Sequence, residues 1–500
     1  SLASQIPDDH ALLGRCNRRW LAARLLEHDP DVITHSFPQG ALEAVTAARA
    51  RVRELLRDDP ETVIADRRYG FISGACTEAV RLTVEARHDL TDRIDSIVTS
   101  RVLGLPIFGL MMYLVFYLTF KLGAWPMEAL EFSFGWLSTT LAAAWPAGSD
   151  SILKSLIIDG IIGGVGGVVI FLPNILMLFL AIAILEDTGY MARAAFIMDR
   201  TMHRIGLHGK SFIPMIIGFG CTIPAILATR ILENRRNRFT TIMVAPLLSC
   251  GARLPIYSLI IPAFFAQRWR APMLWLIYLI GIALAIVAAK VLRMTVLRGE
   301  TTPFVMELPP YRLPTAKNLV IHMWERGWLY MRKAGTTILA ISIVLWAAAN
   351  YPSASEEALA GLAEEQAQAV NLQSSVLGRI GAAVEPAIRP LGFDSRVGTA
   401  LLGAVVAKEV FVSQMGIVYS LGEIHGNLDI LRESLREDYS PLQAFCIMLF
   451  CLISAPCIAT FAVTRSETGS FRWAAAQWLG LTALAYVVTL GVYQVGSMIL

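Results

Sequence analysis

From Val102 to Phe120 the chain carries no charge, and a helix needs about 20 mostly apolar residues to cross the hydrocarbon core of a bilayer. Four more uncharged runs follow, at Met273–Ala289, Ala334–Ala349, Leu442–Val463 and Trp473–Leu500. In lipid every backbone N–H and C=O must be satisfied within the segment, so runs of this length become helices. The chain is 55% hydrophobic and only 17% charged, and that imbalance comes from these runs. The reading is an all-α polytopic membrane protein. A net charge of +3 is too small to argue for a nucleic-acid partner.

Four other apolar stretches are interrupted. Leu156–Leu185 is broken by Gly163–Gly167 and by Pro173. Ser211–Thr229 holds Pro214, Gly218, Gly220 and Pro224, and Phe239–Phe265 holds Pro246, Gly251, Pro255 and Pro262. Val397–Tyr419, in the second half, carries Lys408 and Glu409. Broken apolar pieces read as re-entrant hairpins or discontinuous helices around a cavity. Ile242–Ser249 resembles Ile447–Ser454, each after a broken piece, as in an inverted repeat whose substrate site lies where the broken pieces meet.

The chain divides into residues 1–100, a helical stub, 101–300 and 334–500, two membrane halves each with a gate-like motif, and a connector over 301–333. The stub reads as short helices over Leu12–Glu27, Ala41–Arg57 and onward from Pro60, which suits a first helical turn. A polar-aromatic loop with Trp125, Trp136 and Trp145 is expected at the membrane interface. Loops Glu186–Lys210, Arg230–Arg238 and Lys290–Lys333 are rich in Lys and Arg, whereas Asn350–Leu377 has none and Leu421–Tyr439 is acidic on balance. The positive-inside rule makes the first three and the stub cytoplasmic, and the last two and the C-terminus external. With no initiator Met and no apolar leader, the sequence is expected to be part of something longer.

Seven cysteines scattered in this way are no disulfide framework. Cys221 (in Gly218–Pro224), Cys250 (in Ser249–Arg253) and Cys457 (after Pro456) each lie beside a Pro or Gly break. The bland reading is small apolar filler; the sharper one is a thiolate path for a soft-leaning metal such as iron, zinc or copper. No CxxC pair exists, so a closed zinc site is excluded. Arg253, Lys408 and Glu409 each cost about 3 kcal/mol at a bilayer centre. They lock helices together, Arg253 with Glu409 for instance, or line an ion pathway. Glu186 and Asp187 end a span, as a solvated helix end or a carboxylate gate, and Asn174 after Pro173 offers an amide oxygen. Gly206–Ser211 only superficially resembles a phosphate loop, since Arg204 stands where the first Gly belongs. Metalloprotease and hydrolase signatures are also missing.

At these residues the sequence resembles the ferrous iron transporter B family. The resemblance rests on Leu185–Phe196, GFGCTIP from Gly218, SCGARLP from Ser249, Ala407–Val410, Thr302–Pro309 and Ala65–Ile72. It implies Fe(II) import across the bacterial inner membrane by a gate-type core similar to nucleoside transporters. It implies Cys221, Cys250 and Cys457 as candidates for the iron path, with Cys221 and Cys250 ligating directly. The family often has Asn where this chain has Thr222, which keeps an oxygen without the amide. It further implies a G-protein domain binding GTP and Mg outside this chain, so the chain itself is no enzyme. The stub would pass nucleotide state to the core through Glu186–Lys210. Small FeoA-type and FeoC-type partners and a homo-oligomer are compatible with it. A transporter of another divalent metal or of a nucleoside-like solute is the alternative, and an enzyme using Cys221 as nucleophile lacks a membrane histidine as base.

Overall fold

The computed structural model describes residues 16–27, 29, 32, 37–56, 58–79, 85–100, 102–145, 152–163, 166, 169–298, 308–355, 364–419 and 428–499. The start of the Leu12–Glu27 helix, most of Gly163–Gly167, most of Thr302–Pro309 and the middle of the acidic Asn350–Leu377 stretch lie outside the described residues. Among the described residues there is helix and no strand. The chain forms two compact units, Ser1–Leu90 and Thr91–Leu500.

In the first unit α1 (Arg18–Leu26), α2 (Gln39–Leu56) and α3 (Pro60–Ala79) bury Leu21, Leu25, Val32 and Val45. Asn17 caps α1 by accepting from the Arg19 N–H at 3.0 Å, and Pro60 opens α3, where its missing N–H costs nothing. Arg68 and Glu27, 2.7 Å apart, tie α3 to the end of α1.

The second unit begins within α4 (Glu85–Val98). Next, α5 (Gly104–Ala144) is one helix of 41 residues. The expected interfacial loop is therefore helical: Met127–Ala144 is rich in good helix formers, and Trp125 and Trp136 ride on it. A π-helical piece over Leu156–Gly163 precedes α6 (Leu172–Asp187). The expected loop Glu186–Lys210 is mostly α7 (Tyr190–Arg204), bent 81° from α6. Gly189 makes the corner at φ 84°, where any other residue would be strained. Charges hid this helix in the sequence, although Arg193 is fully buried.

The Ser211–Thr229 piece is two short helices, α8 (Phe212–Gly220) and α9 (Thr222–Ala228), parted at Cys221. The next span is α10 (Arg235–Val244) and α11 (Leu254–Phe264), parted around Leu248–Cys250. Then comes an unbroken helix, α12 (Gln267–Met294). The connector holds α13 (Ala316–Tyr330), which runs through a π turn into α14 (Thr336–Asn350). After α15 (Glu364–Ser374) and α16 (Val376–Ile388), the pattern returns. The pair α17 (Ser395–Gly403) and α18 (Val410–Val418) is parted at 404–409. A surface helix α19 (Leu428–Asp438) follows, then α20 (Pro441–Ile453) and α21 (Ile458–Thr468), parted at 454–457, and the unbroken α22 (Phe471–Ile499).

The two series pack reciprocally. Helix α9 lies on α21, and its counterpart α18 lies on α11; α10 packs on α12 as α20 does on α22; α7 meets α8 as α16 meets α17. A two-fold-related pair of repeats produces this exchange. Their ends also point opposite ways on the charge-based orientation. Arg436 of the acidic 421–439 stretch caps the carbonyls of Pro262 and Ala263 at the end of α11, whereas the end of α21 pairs with the basic 230–238 stretch.

Among the described residues five helical stretches are long and apolar enough to cross a membrane, or six if the bent α6–α7 pair counts as one span. The two broken ones, 235–264 and 441–468, are 67% and 72% buried, against 11% to 22% for α5, α12 and α22. Breaks sit inside and continuous helices outside, because lipid cannot satisfy a broken backbone.

Candidate metal path at the helix breaks

Four interruptions meet. In the second half the Ile458 N–H donates to the Val405 carbonyl at 3.1 Å, joining one break to the other. In the first half a Cβ on Gly251 would stand 3.4 Å from the Gly220 carbonyl and 3.4 Å from the Phe120 ring, so those breaks abut and α5 closes over them. Across the halves, Cys221 and Cys457 pack into one apolar cluster with Ile175, Ile223 and Val463.

Each of the three flagged cysteines stands at the N-cap of a helix: Cys221 before α9, Cys250 before the turn leading into α11, Cys457 before α21. There the helix offers unpaired N–H groups and the positive end of its dipole, which favours a negative sulfur once a metal has displaced its proton. Cys221 lies within electrostatic range of Cys250, Cys457 and Glu409, and the Cys457 thiol lies 3.2 Å from the Thr460 hydroxyl. Among the described residues no group of three or more His, Cys, Asp and Glu side chains is drawn tightly enough to hold a metal ion.

The buried charges are arranged otherwise than a cross-half ion pair. Arg253 donates to the carbonyls of Leu248 at 3.1 Å and Pro246 at 3.0 Å, answering carbonyls that the helix break sets free. Lys408 donates to the Ser454 hydroxyl at 2.9 Å and lies within range of Cys451, Arg253, Cys250 and Cys457. Glu409 keeps one carboxylate oxygen buried with no hydrogen-bond partner. The anticipated Arg253–Glu409 pair does not form.

Thr222 is buried at the first position of α9. Asn174 lies on α6 between Leu172 and Ile175, which pack in the Cys221 cluster. Its side-chain oxygen is buried and unpartnered, in a notch against Gly123 that a Cβ would fill. Glu186 and Asp187 end α6 at the bend, exposed and half-buried respectively. Sequence reasoning passed over Thr119 and Gln414, whose side-chain oxygens are also buried without partners. Thr119 stands four residues before Gly123, a hydroxyl and a gap on one helix face, and that spacing was available to read.

Family models match three parts of the chain: "FeoB cytosolic helical domain" over residues 1–81, "Nucleoside recognition" (Gate) over 168–264 and 331–471, and "Ferrous iron transport protein B C terminus" over 274–326. The Fe(2+) transporter FeoB of Campylobacter jejuni is 41% identical over 84% of this chain and 67% of its own length. That of Leptospira biflexa is 36% identical over 96% of this chain and 70% of its own. The chain belongs to the FeoB family. A Porphyromonas gingivalis relative, named an Fe(2+) transport protein A/Fe(2+) transporter FeoB fusion protein, is 42% identical over 96% of this chain, which spans 61% of it. No solved structure matches the chain.

Two polar assemblies tie this FeoB membrane part together away from the breaks. Arg193 pairs with Asp95 of α4 through two 2.9 Å bonds, donates to the Gly189 and Pro309 carbonyls and lies 4.2 Å from the Tyr311 ring. Burial, then Asp95, push the Tyr311 hydroxyl up to about 12, so it stays neutral. At the other assembly Glu467 of α21, its side chain 3% exposed, accepts from Arg230 at 2.5 Å and Arg238 at 2.9 Å. It thereby joins the second half to both broken pieces of the first.

Proposed function

We propose that the chain carries ferrous iron inward across the bacterial inner membrane, with Cys221 and Cys250 contacting the ion and Cys457, Glu409 and Thr222 lining the way. The observation that carries this reading is the placing of three thiols at helix N-caps where four breaks meet, with Cys221 in range of the other two. Fe(II) suits mixed thiolate and oxygen donors, and a loose donor set permits release as well as capture. Each thiol that ligates gives up its proton, so binding releases protons and weakens as pH falls. Glu186 and Asp187 at the α6–α7 bend serve as a carboxylate gate at the cytoplasmic end of that way.

The names of the relatives support iron as cargo, and the fused relative supports a small partner of the transport-protein-A kind. In the longer protein a GTP- and Mg-binding domain would gate the core. The route we assign to that signal is Asp95 to Arg193, since Arg193 holds both the α6–α7 corner and the connector.

The test is anaerobic binding of radiolabelled Fe(II) to the purified chain, followed by uptake into proteoliposomes. Cys221→Ser and Cys250→Ser should each weaken saturable binding by roughly 10-fold or more, since loss of even an outer-shell partner costs about 10–100-fold. Binding and uptake that survive both substitutions would move the site to the carboxylates; uptake of a nucleoside instead would favour the organic-solute reading.

A further inference from the structure

Helix α21 belongs to the broken stretch 441–468, which is 72% buried, yet protein leaves one stripe of it uncovered. Ala459, Thr460, Val463 and Thr464 are packed away, each at most 1% exposed. On the opposite side Ile458, Phe461, Ala462, Arg465 and Gly469, spaced by three and four residues, fall on one helix face. Together with Ile341 of α14 they line an open groove of about 690 Å³, within the range of about 300–1,000 Å³ that ligand clefts occupy. The groove follows α21 from the break at Cys457 to the helix end, about 16 Å at 1.5 Å per residue.

The two ends of the groove differ. Toward the break its walls are Ile341, Ile458 and Phe461. At the other end Arg465 is exposed. It has no carboxylate or carbonyl partner among the described residues, and its guanidinium lies 6.0 Å from the centre of the Phe471 ring. Glu467, two residues on, is turned inward to Arg230 and Arg238, which sets this end on the cytoplasmic side of the charge-based orientation. Helix α22 starts at Phe471, so its unpaired N–H groups and positive dipole end stand at the same corner. An apolar trough closed by an unanswered cation at the cytoplasmic surface has the polarity of a phospholipid, with acyl chain in the trough and phosphate on the guanidinium. A protein partner would have to bring its own carboxylate to the membrane edge, whereas the leaflet already holds phosphate there. We propose that the α14–α21 groove binds one anionic phospholipid of the cytoplasmic leaflet, headgroup on Arg465, which covers the face of the broken span that protein leaves open. The inference does not depend on which ion the core carries.

The test is native mass spectrometry of the purified chain in an uncharged detergent, titrated with dioleoylphosphatidylglycerol or dioleoylphosphatidylcholine. Wild type should bind one phosphatidylglycerol saturably and phosphatidylcholine about tenfold more weakly. Arg465→Gln should lower phosphatidylglycerol binding about tenfold, the effect of one charge-assisted hydrogen bond. Ala462→Trp, which fills the trough, should weaken both lipids. Lys290→Gln, which removes an exposed charge from the end of α12, should bind as wild type does. An unchanged melting temperature without lipid shows that a variant folds; should Ala462→Trp fail that check, the exposed Arg465→Gln decides alone. Equal affinity for the two lipids, or wild-type binding by Arg465→Gln, overturns the site. So does displacement of phosphatidylglycerol by inorganic phosphate at the same concentration, which would leave a bare guanidinium and no groove. A lipid-free dimer that Ala462→Trp dissociates would also overturn it and give the stripe to a second copy of the chain.

Discussion

The two halves of the membrane part share a scaffold and divide its chemistry. In the first half the breaks carry sulfur: Cys221 between α8 and α9, Cys250 between α10 and α11. In the second half the matching breaks carry Lys408 and Glu409 between α17 and α18, and Cys457 between α20 and α21. The serines that end the two repeated segments show the divergence most directly. Ser249 lies 3.2 Å from the Tyr257 hydroxyl, a neutral contact inside its own half, whereas Ser454 receives the Lys408 ammonium. Reciprocal packing fixes where breaks must fall, and the residues filling them are then free to differ. The first half supplies two of the three thiols and a guanidinium tied to its own carbonyls, and the second supplies one thiol, an ammonium and a carboxylate.

The largest contrast lies at the outer ends of α11 and α21. Glu467 answers a half-exposed Arg230 and a largely covered Arg238 from a nearly buried position, and each of its several charge-assisted hydrogen bonds is worth about 1.5–3 kcal/mol. Arg436 only caps backbone carbonyls, worth about 1–3 kcal/mol. Thermal unfolding in detergent should therefore drop much further for Glu467→Ala than for Arg436→Ala; equal drops would erase the asymmetry between the ends.

The next contrast is between the two unbroken helices that flank the broken spans. On α12 a Cβ at Gly281 would press to 2.8 Å on the Leu247 carbonyl and 3.3 Å on Leu452, while on α22 Gly480 has open space. Gly281→Ala should destabilise by about 1–3 kcal/mol through overpacking. Gly480→Ala should be neutral or gain up to about 1 kcal/mol from helix propensity. A shared sign would mean that α12 and α22 do not meet the core in the different ways described. Smallest is the serine pair: Ser454→Ala leaves the Lys408 ammonium without its partner, for about 1–3 kcal/mol, and Ser249→Ala loses a neutral bond of about 1 kcal/mol. The reverse order in chemical unfolding would place the important charge in the first half.

The broken pieces were legible because Gly and Pro punctuate them, and so were the three cysteines, since each sits beside such punctuation. The α7 helix was not, because Arg193 and Asp199 make its segment read as a solvated loop. Local sequence gives no sign that Asp95 and Pro309 wait nearby to neutralise and bond that arginine. The Trp-bearing part of α5 was misread for the opposite reason: aromatic and polar residues resemble an interface, while the helix propensity of Met127–Ala144 decides the backbone. Arg253, for which a pair with Glu409 was one reading, bonds carbonyls of its own break instead. Its freed carbonyls, Pro246 and Leu248, lie only a few residues away and exist only once the break has formed. Glu467 escaped notice because both of its arginines are more than two hundred residues distant.

Arg253 also has a bearing on speed. This guanidinium is fastened to two carbonyls five and seven residues before its own position, so it does not swing away. Any dication resting at Cys250 sits against that standing repulsion, with Lys408 adding to it from the other half. On the proposed metal path such a charge would shorten the ion's stay, trading depth of binding for throughput and making the sulfur atoms stepping stones rather than a trap.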